Sequence, residues 1–247
     1  MATLSMTALR LAAIETLAPT AAVEGKIPFP TIAGNNYFDS RSVSLGELDP
    51  QSDGAICVGV YCDRMGGESR GASAPAHPAW ITADLVFEME VAVIDRFDDE
   101  DAVANPATDE AAAARLEFLA SQIRFALLKR RDPALFRGLL REITETRSDQ
   151  FRMPEIGVRL ARRTMVMSCQ IADDRWSDTP GELPEPLKSL AATLPEGSYG
   201  RPICVRLAEA WAGQDAAGPL EGIDIGLGAE TPESVPAAAL QGRVETD

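Results

Sequence analysis

From Ile81 to Ile94 the chain alternates in character residue by residue. Ile81, Ala83, Leu85, Phe87, Met89, Val91 and Val93 form one set, and Thr82, Asp84, Val86, Glu88, Glu90, Ala92 and Ile94 form the other. A period of two is that of a strand, because successive side chains leave opposite faces of a pleated sheet. At ~3.3 Å per residue such a strand would span about 45 Å, well beyond the usual five or six residues. The chain must therefore build a sheet around it. The odd-numbered side should meet the core, so that Met89 is intolerant of charge and Glu90, one residue on, is tolerant. Part of so long an element is expected to project from the core as an arm.

The remaining elements follow from local patterning. Met6, Leu9, Ala13 and Leu17 recur at helical spacing, placing one apolar face on a helix that Pro19 ends. Gly25 to Asn36 carries loop punctuation, and Tyr37-Phe38 with Val43 and Leu45 suggests a short strand. The run Ala55 to Cys62 is apolar throughout, as expected of a central strand covered on both faces. Met65 to Pro78 looks like a mobile loop. A helix should follow with Ala112, Leu116, Leu119, Ile123 and Leu127 inward and Lys129, Arg130 and Arg131 in its last turn. Asp132-Pro133 resembles the start of a second helix running through Ile143, with Phe136, Leu139, Leu140 and Ile143 inward. Met165, Met167, Cys169 and Ile171 alternate as a further strand, which Val158 to Arg163 would extend. Past Asp174, short helices using Leu187, Leu190 and Leu194, and then Ile203, Leu207, Ala210 and Trp211, precede a sequence poor in large apolar residues. The fold class is thus α/β of the α+β kind: a mixed, largely antiparallel sheet flanked by helices, with one long projecting strand or hairpin.

Charge narrows the function. Lys and Arg total 23 against 38 Asp and Glu, a formal net charge of −15, which repels a nucleic-acid duplex or an anionic membrane. No apolar run approaches the ~20 residues of a membrane span, and Arg10 and Glu15 interrupt the N-terminal segment where a signal peptide would be apolar. Cys57, Cys62, Cys169 and Cys204 stand apart in apolar surroundings and suit reduced core positions.

Few residues suggest chemistry. His77 is the single histidine and lies in a loop-like Pro-Ala-His-Pro, a poor support for a catalytic triad. Gly66-Gly67 and Gly71 lack the Lys-Ser/Thr of a phosphate cradle. Glu88 with Glu90, and the acidic run holding Asp98, Asp99 and Asp101, could serve a metal or acid–base chemistry, but suit a solvated or partner-facing surface better. Arg159, Arg162 and Arg163, with Arg152 nearby, form the notable basic cluster. It could hold a phosphate, pair with carboxylates of a neighbouring subunit, or simply form the polar end of a strand.

A resemblance emerges from the order of these parts. The helix Leu9-Arg10-Leu11-Ala12-Ala13-Ile14 is followed by Tyr37-Phe38-Asp39-Ser40-Arg41, the strand Ile56 to Tyr61 and Phe87-Glu88-Met89-Glu90-Val91. After the helix from Glu110 to Lys129 come Arg162-Arg163-Thr164-Met165-Val166-Met167 and Asp173-Asp174. This series, from about Thr7 to Asp174, resembles the tail terminator proteins of long-tailed, siphovirus-type bacteriophages and gene transfer agents. The resemblance implies a hexameric ring that caps the tail tube, stops its polymerisation and meets the head connector, with DNA passing through the lumen without specific binding. It implies no catalytic residue, cofactor, metal or membrane, and a location at the neck end of the virion tail after assembly in the host cytoplasm. Residues 1–174 would form the core, 175–213 a helical extension packed on it, and 214–247 an acidic, extended or disordered tail tethered at Ile223 and Ile225. The candidate subunit contacts are Arg159, Arg162 and Arg163 against Asp98, Asp99 and Asp101, with Glu88 and Glu90 beside them. Another neck or tail-completion protein, or a metal-dependent enzyme using the acidic residues, is the alternative.

Overall fold

The computed structural model describes residues 3–41, 56–67, 79–91, 109–129, 135–153, 160–177, 179 and 181–216. Its elements run α1 (Leu4–Leu17), α2 (Thr20–Val23), β1 (Tyr37–Asp39), β2 (Ile56–Gly66), β3 (Trp80–Val91), α3 (Asp109–Leu128), α4 (Leu135–Leu139), β4 (Leu140–Met153), β5 (Leu160–Ala172), α5 (Leu187–Thr193) and α6 (Gly200–Ala216). The five strands form one sheet in the order β1-β2-β3-β5-β4, with β1 parallel to β2 and every other pair antiparallel. This is the mixed, largely antiparallel sheet with flanking helices that the patterning predicts.

The alternating segment occupies the middle of the sheet. Ile81, Ala83, Leu85, Phe87, Met89 and Val91 are at most 1% exposed and share one core with the helices. From Trp80 to Val91 the strand pairs with β5 on one side, and from Thr82 to Val91 with β2 on the other. The expected arm is therefore corrected for these residues: length here reflects a central strand of 12 residues between neighbours of 11 and 13. Val93 and Ile94 lie outside the described residues. β2 holds the second position, not the centre, and runs on through Gly66 past a bulge between Cys62 and Arg64. A side chain at Gly59 would collide with the Tyr61 ring, 2.8 Å from an added Cβ, so glycine lets that ring close over the strand.

α1 is buried on nearly every side, not on the single face expected, because β1, β2, β3, α3, α4, α5 and α6 all pack on it. Its first turn is capped from a distance. Asp174, just past β5, accepts the Leu4 N–H at 2.9 Å, the Ser5 N–H at 2.7 Å and the Ser5 hydroxyl at 2.6 Å, which satisfies free donors and sets a negative charge at the positive helix end. An Arg10–Asp39 ion pair ties the same helix to β1. α3 buries Ala112, Leu116, Leu119, Ile123 and Leu127 as expected but ends at Leu128, with Lys129 beyond it. Arg130 and Arg131 are outside the described residues, as are Val43, Leu45 and most of the Met65–Pro78 segment. Leu187, Leu190 and Leu194 join the core, while α6 inserts Cys204 with Ile203, Leu207, Ala208 and Trp211 beside it and leaves Ala210 exposed.

The second predicted helix is cut short. α4 stops at Leu139, and Leu140 begins a strand of 14 residues. Bulges between Leu140 and Glu142 and between Ile143 and Glu145 set Leu140, Ile143 and Thr146 opposite the inward residues Ile171, Cys169 and Met167. Each bulge adds a residue, so same-face positions fall three apart and imitate helical spacing.

At the α1–α2 corner, buried Glu15 accepts the Thr20 N–H at 2.9 Å and pairs with its hydroxyl at 3.0 Å. Burial raises the carboxyl pKa above its ordinary value, while the two Thr20 hydrogen bonds oppose that rise. A carboxyl raised on folding contributes most stability below its unfolded pKa and loses it as pH rises through the folded value. Glu15→Gln, which keeps the shape and the Thr20 contacts, should therefore match the wild type in acid and melt at an equal or slightly higher temperature at pH 7. A melting temperature several degrees lower at pH 7 would show that the ionised carboxylate is needed.

Candidate functional site

The sheet ends on β4, and this edge is the most unusual surface of the described molecule. Thr144 through Gln150 are exposed on both faces of the strand. The inner edge of β4 pairs with β5 from Leu140 to Met153, whereas no described strand pairs with its outer edge. Such a row of backbone donors and acceptors is a template for another strand unless charges or irregularities blunt it. Glu142, Glu145, Arg147 and Asp149 supply charges, but Thr144, Thr146 and Ser148 between them are small, uncharged and β-compatible.

Beside the edge, one face of β3 and β5 is polar. Glu90 is 5% exposed and forms an ion pair with Arg162 directly across the strand pair. Asp84 accepts the Ser168 hydroxyl at 2.6 Å. The Arg141 guanidinium stacks 5.1 Å from the Trp80 ring centre. A groove of about 310 Å³ runs over this end of the sheet, lined by Arg64, Thr82, Asp84, Glu145, Arg147 and Ser168 among others. Two cations and two anions line it, so it is electrostatically balanced.

The basic cluster expected as a unit is divided by the pleat. Arg162 faces the polar side with Glu90, whereas Arg163 faces the helices, where it donates to Glu117 at 3.1 Å and to Ser148 at 3.3 Å. Both cations thus have carboxylate partners within the chain, on opposite faces of the sheet. Glu88 and Glu90 share a face as expected, yet Glu90 is buried and engaged, so it is not the tolerant outward residue of the alternation. Glu88 is half-buried, opposite Gly59 and Thr164. Arg159, Asp98, Asp99, Asp101 and His77 lie outside the described residues, and so does the side chain of Arg152.

The four cysteines are free thiols, three buried and Cys62 half-buried. Burial pushes Cys57, Cys62 and Cys169 up to about 12, so they remain protonated and weakly nucleophilic near neutrality. Among the described residues no group of three His, Cys, Asp or Glu side chains is placed to hold a metal ion. No described helix is long and apolar enough to cross a membrane.

Sequence patterning missed β4, since an edge exposed on both faces needs no apolar alternation. It also missed Phe118 and Phe125 on α3, which are 54% and 63% exposed. Their seven-residue spacing, out of phase with Leu116, Leu119 and Ile123, was a usable signal. No protein-family model matches this chain, and no curated protein matches it either.

Proposed function

We propose that this chain is a structural assembly protein, a tail terminator whose protomers close into a ring that caps a phage-type tail tube, stops its polymerisation and joins it to the head connector. The observation that carries the proposal is β4, a long edge strand exposed on both faces and ready to accept a neighbour's strand. A strand added there by the next protomer, at a surface other than that protomer's own β4, is a head-to-tail contact. Repeated about an axis, such a contact closes into a ring when the rotation fits. Six subunits is the number taken from the family resemblance. The net charge of −15 suits a lumen through which DNA slides without adhering.

Electron microscopy of particles assembled without the protein tests this function. Over-long tails, or tails not joined to heads, are the expected result. Normal tails beside leaking heads would instead indicate a plug in the neck.

A further inference from the structure

α3 carries two apolar stripes. One is the core stripe; the other sets Phe118 and Phe125 two turns apart on the opposite, exposed side. Between them Gln122 accepts the backbone N–H of Ile32 at 2.9 Å, which brings a third exposed apolar residue, 43% accessible, to the same surface. Aromatic rings left more than half accessible, one heptad apart and beside an isoleucine, form a patch and not the scattered apolar exposure of an ordinary surface. The exposed cations Arg115, Arg124 and Lys129 flank it on the same helix and just past its end, while Glu117 is engaged by Arg163. On a chain this acidic, an apolar patch with a cationic rim selects an occupant that is apolar and negatively charged.

The chain supplies such a sequence. Past Ala216, the last residue of α6, 31 residues remain, with six acidic side chains and Arg243 as the single basic one. Its aliphatic residues concentrate in Leu220-Glu221-Gly222-Ile223-Asp224-Ile225-Gly226-Leu227, where carboxylates alternate with branched apolar side chains. We propose that this segment docks on the Phe118–Phe125 face of α3, with its aliphatic residues on the rings and Ile32 and its carboxylates toward Arg115, Arg124 and Lys129. The contact is separate from the β4 edge and does not depend on ring closure.

Phe118 replaced by the photo-crosslinker p-benzoylphenylalanine in the full-length protein provides the test. Cross-linked peptides should map to residues 217–247, most of them within Leu220–Leu227. Ile223→Asp with Ile225→Asp should reduce that product about tenfold, the equivalent of about 1.4 kcal/mol. Mixing isotope-labelled and unlabelled protein distinguishes docking within one chain from docking on a neighbour, and either arrangement satisfies the proposal. Cross-links that map elsewhere, or a yield indifferent to the double substitution while the melting temperature is unchanged, would overturn it.

Discussion

Met89→Asp is expected to abolish the folded state. Met89 is fully buried near the C-terminal end of the central strand, opposite Val58 on β2 and on the side of the sheet that meets the helices. An aspartate there removes a thioether from a close-packed site and sets a carboxylate at a fully buried position, where the one cation directly across on β5, Arg163, is already held by Glu117, at a cost of several kcal/mol. Native domains are stable by only about 5–15 kcal/mol in total. Circular dichroism and urea unfolding should show no cooperative transition, or one at far lower denaturant, whereas Met89→Leu should cost less than about 1.5 kcal/mol. A Met89→Asp protein that melts near the wild type would mean that the facing of β3 is wrong.

Arg162→Glu should have the second largest effect. Arg162 lies across the strand pair from the buried Glu90, and its reversal sets two carboxylates against each other where an ion pair stood. Breaking a buried pair by changing one partner typically costs about 3–5 kcal/mol, and the partial exposure of Arg162 lowers the expectation to about 2–4 kcal/mol. Glu90→Arg together with Arg162→Glu should recover at least half of that loss. Equal destabilisation by the single and the double variant would show that packing, and not charge pairing, dominates at this position. Reversal of Arg162 thus acts within the protomer, so a change in assembly after it would not identify a subunit contact.

What the sequence revealed and what it hid have the same physical origin. Where one side of an element meets the core, side-chain period and burial coincide, and the faces of β3, β5 and α3 could be assigned residue by residue. α1 defeated that logic because it is packed on nearly all sides, which removes the polar stripe from which a face is read. β4 defeated it in the opposite way: both its faces are exposed, and its two bulges reproduce a helical spacing in Leu140, Ile143 and Thr146. The strand proposed as the assembly surface was therefore the least legible element. The arginines were legible as a cluster, and alternation within a strand already sets Arg162 and Arg163 on opposite faces; which carboxylates they meet follows only from the register of β5 against β3 and the packing of α3. Asp174 as the cap of α1 joins positions about 170 residues apart, a contact that local patterning does not encode.

The mass of the native protein in solution, alone and in the presence of tail-tube ends, tests the ring most directly. A closed ring should have six times the 26.4 kDa mass of the chain. Thr144→Lys with Thr146→Lys places charged side chains on the β4 edge, as natural edge strands do, and should return the protein to a single chain with its melting temperature nearly unchanged. A wild-type protein that stays at the mass of one chain at high concentration and beside tail-tube ends, or a ring that forms equally well with both lysines present, would contradict assembly through β4.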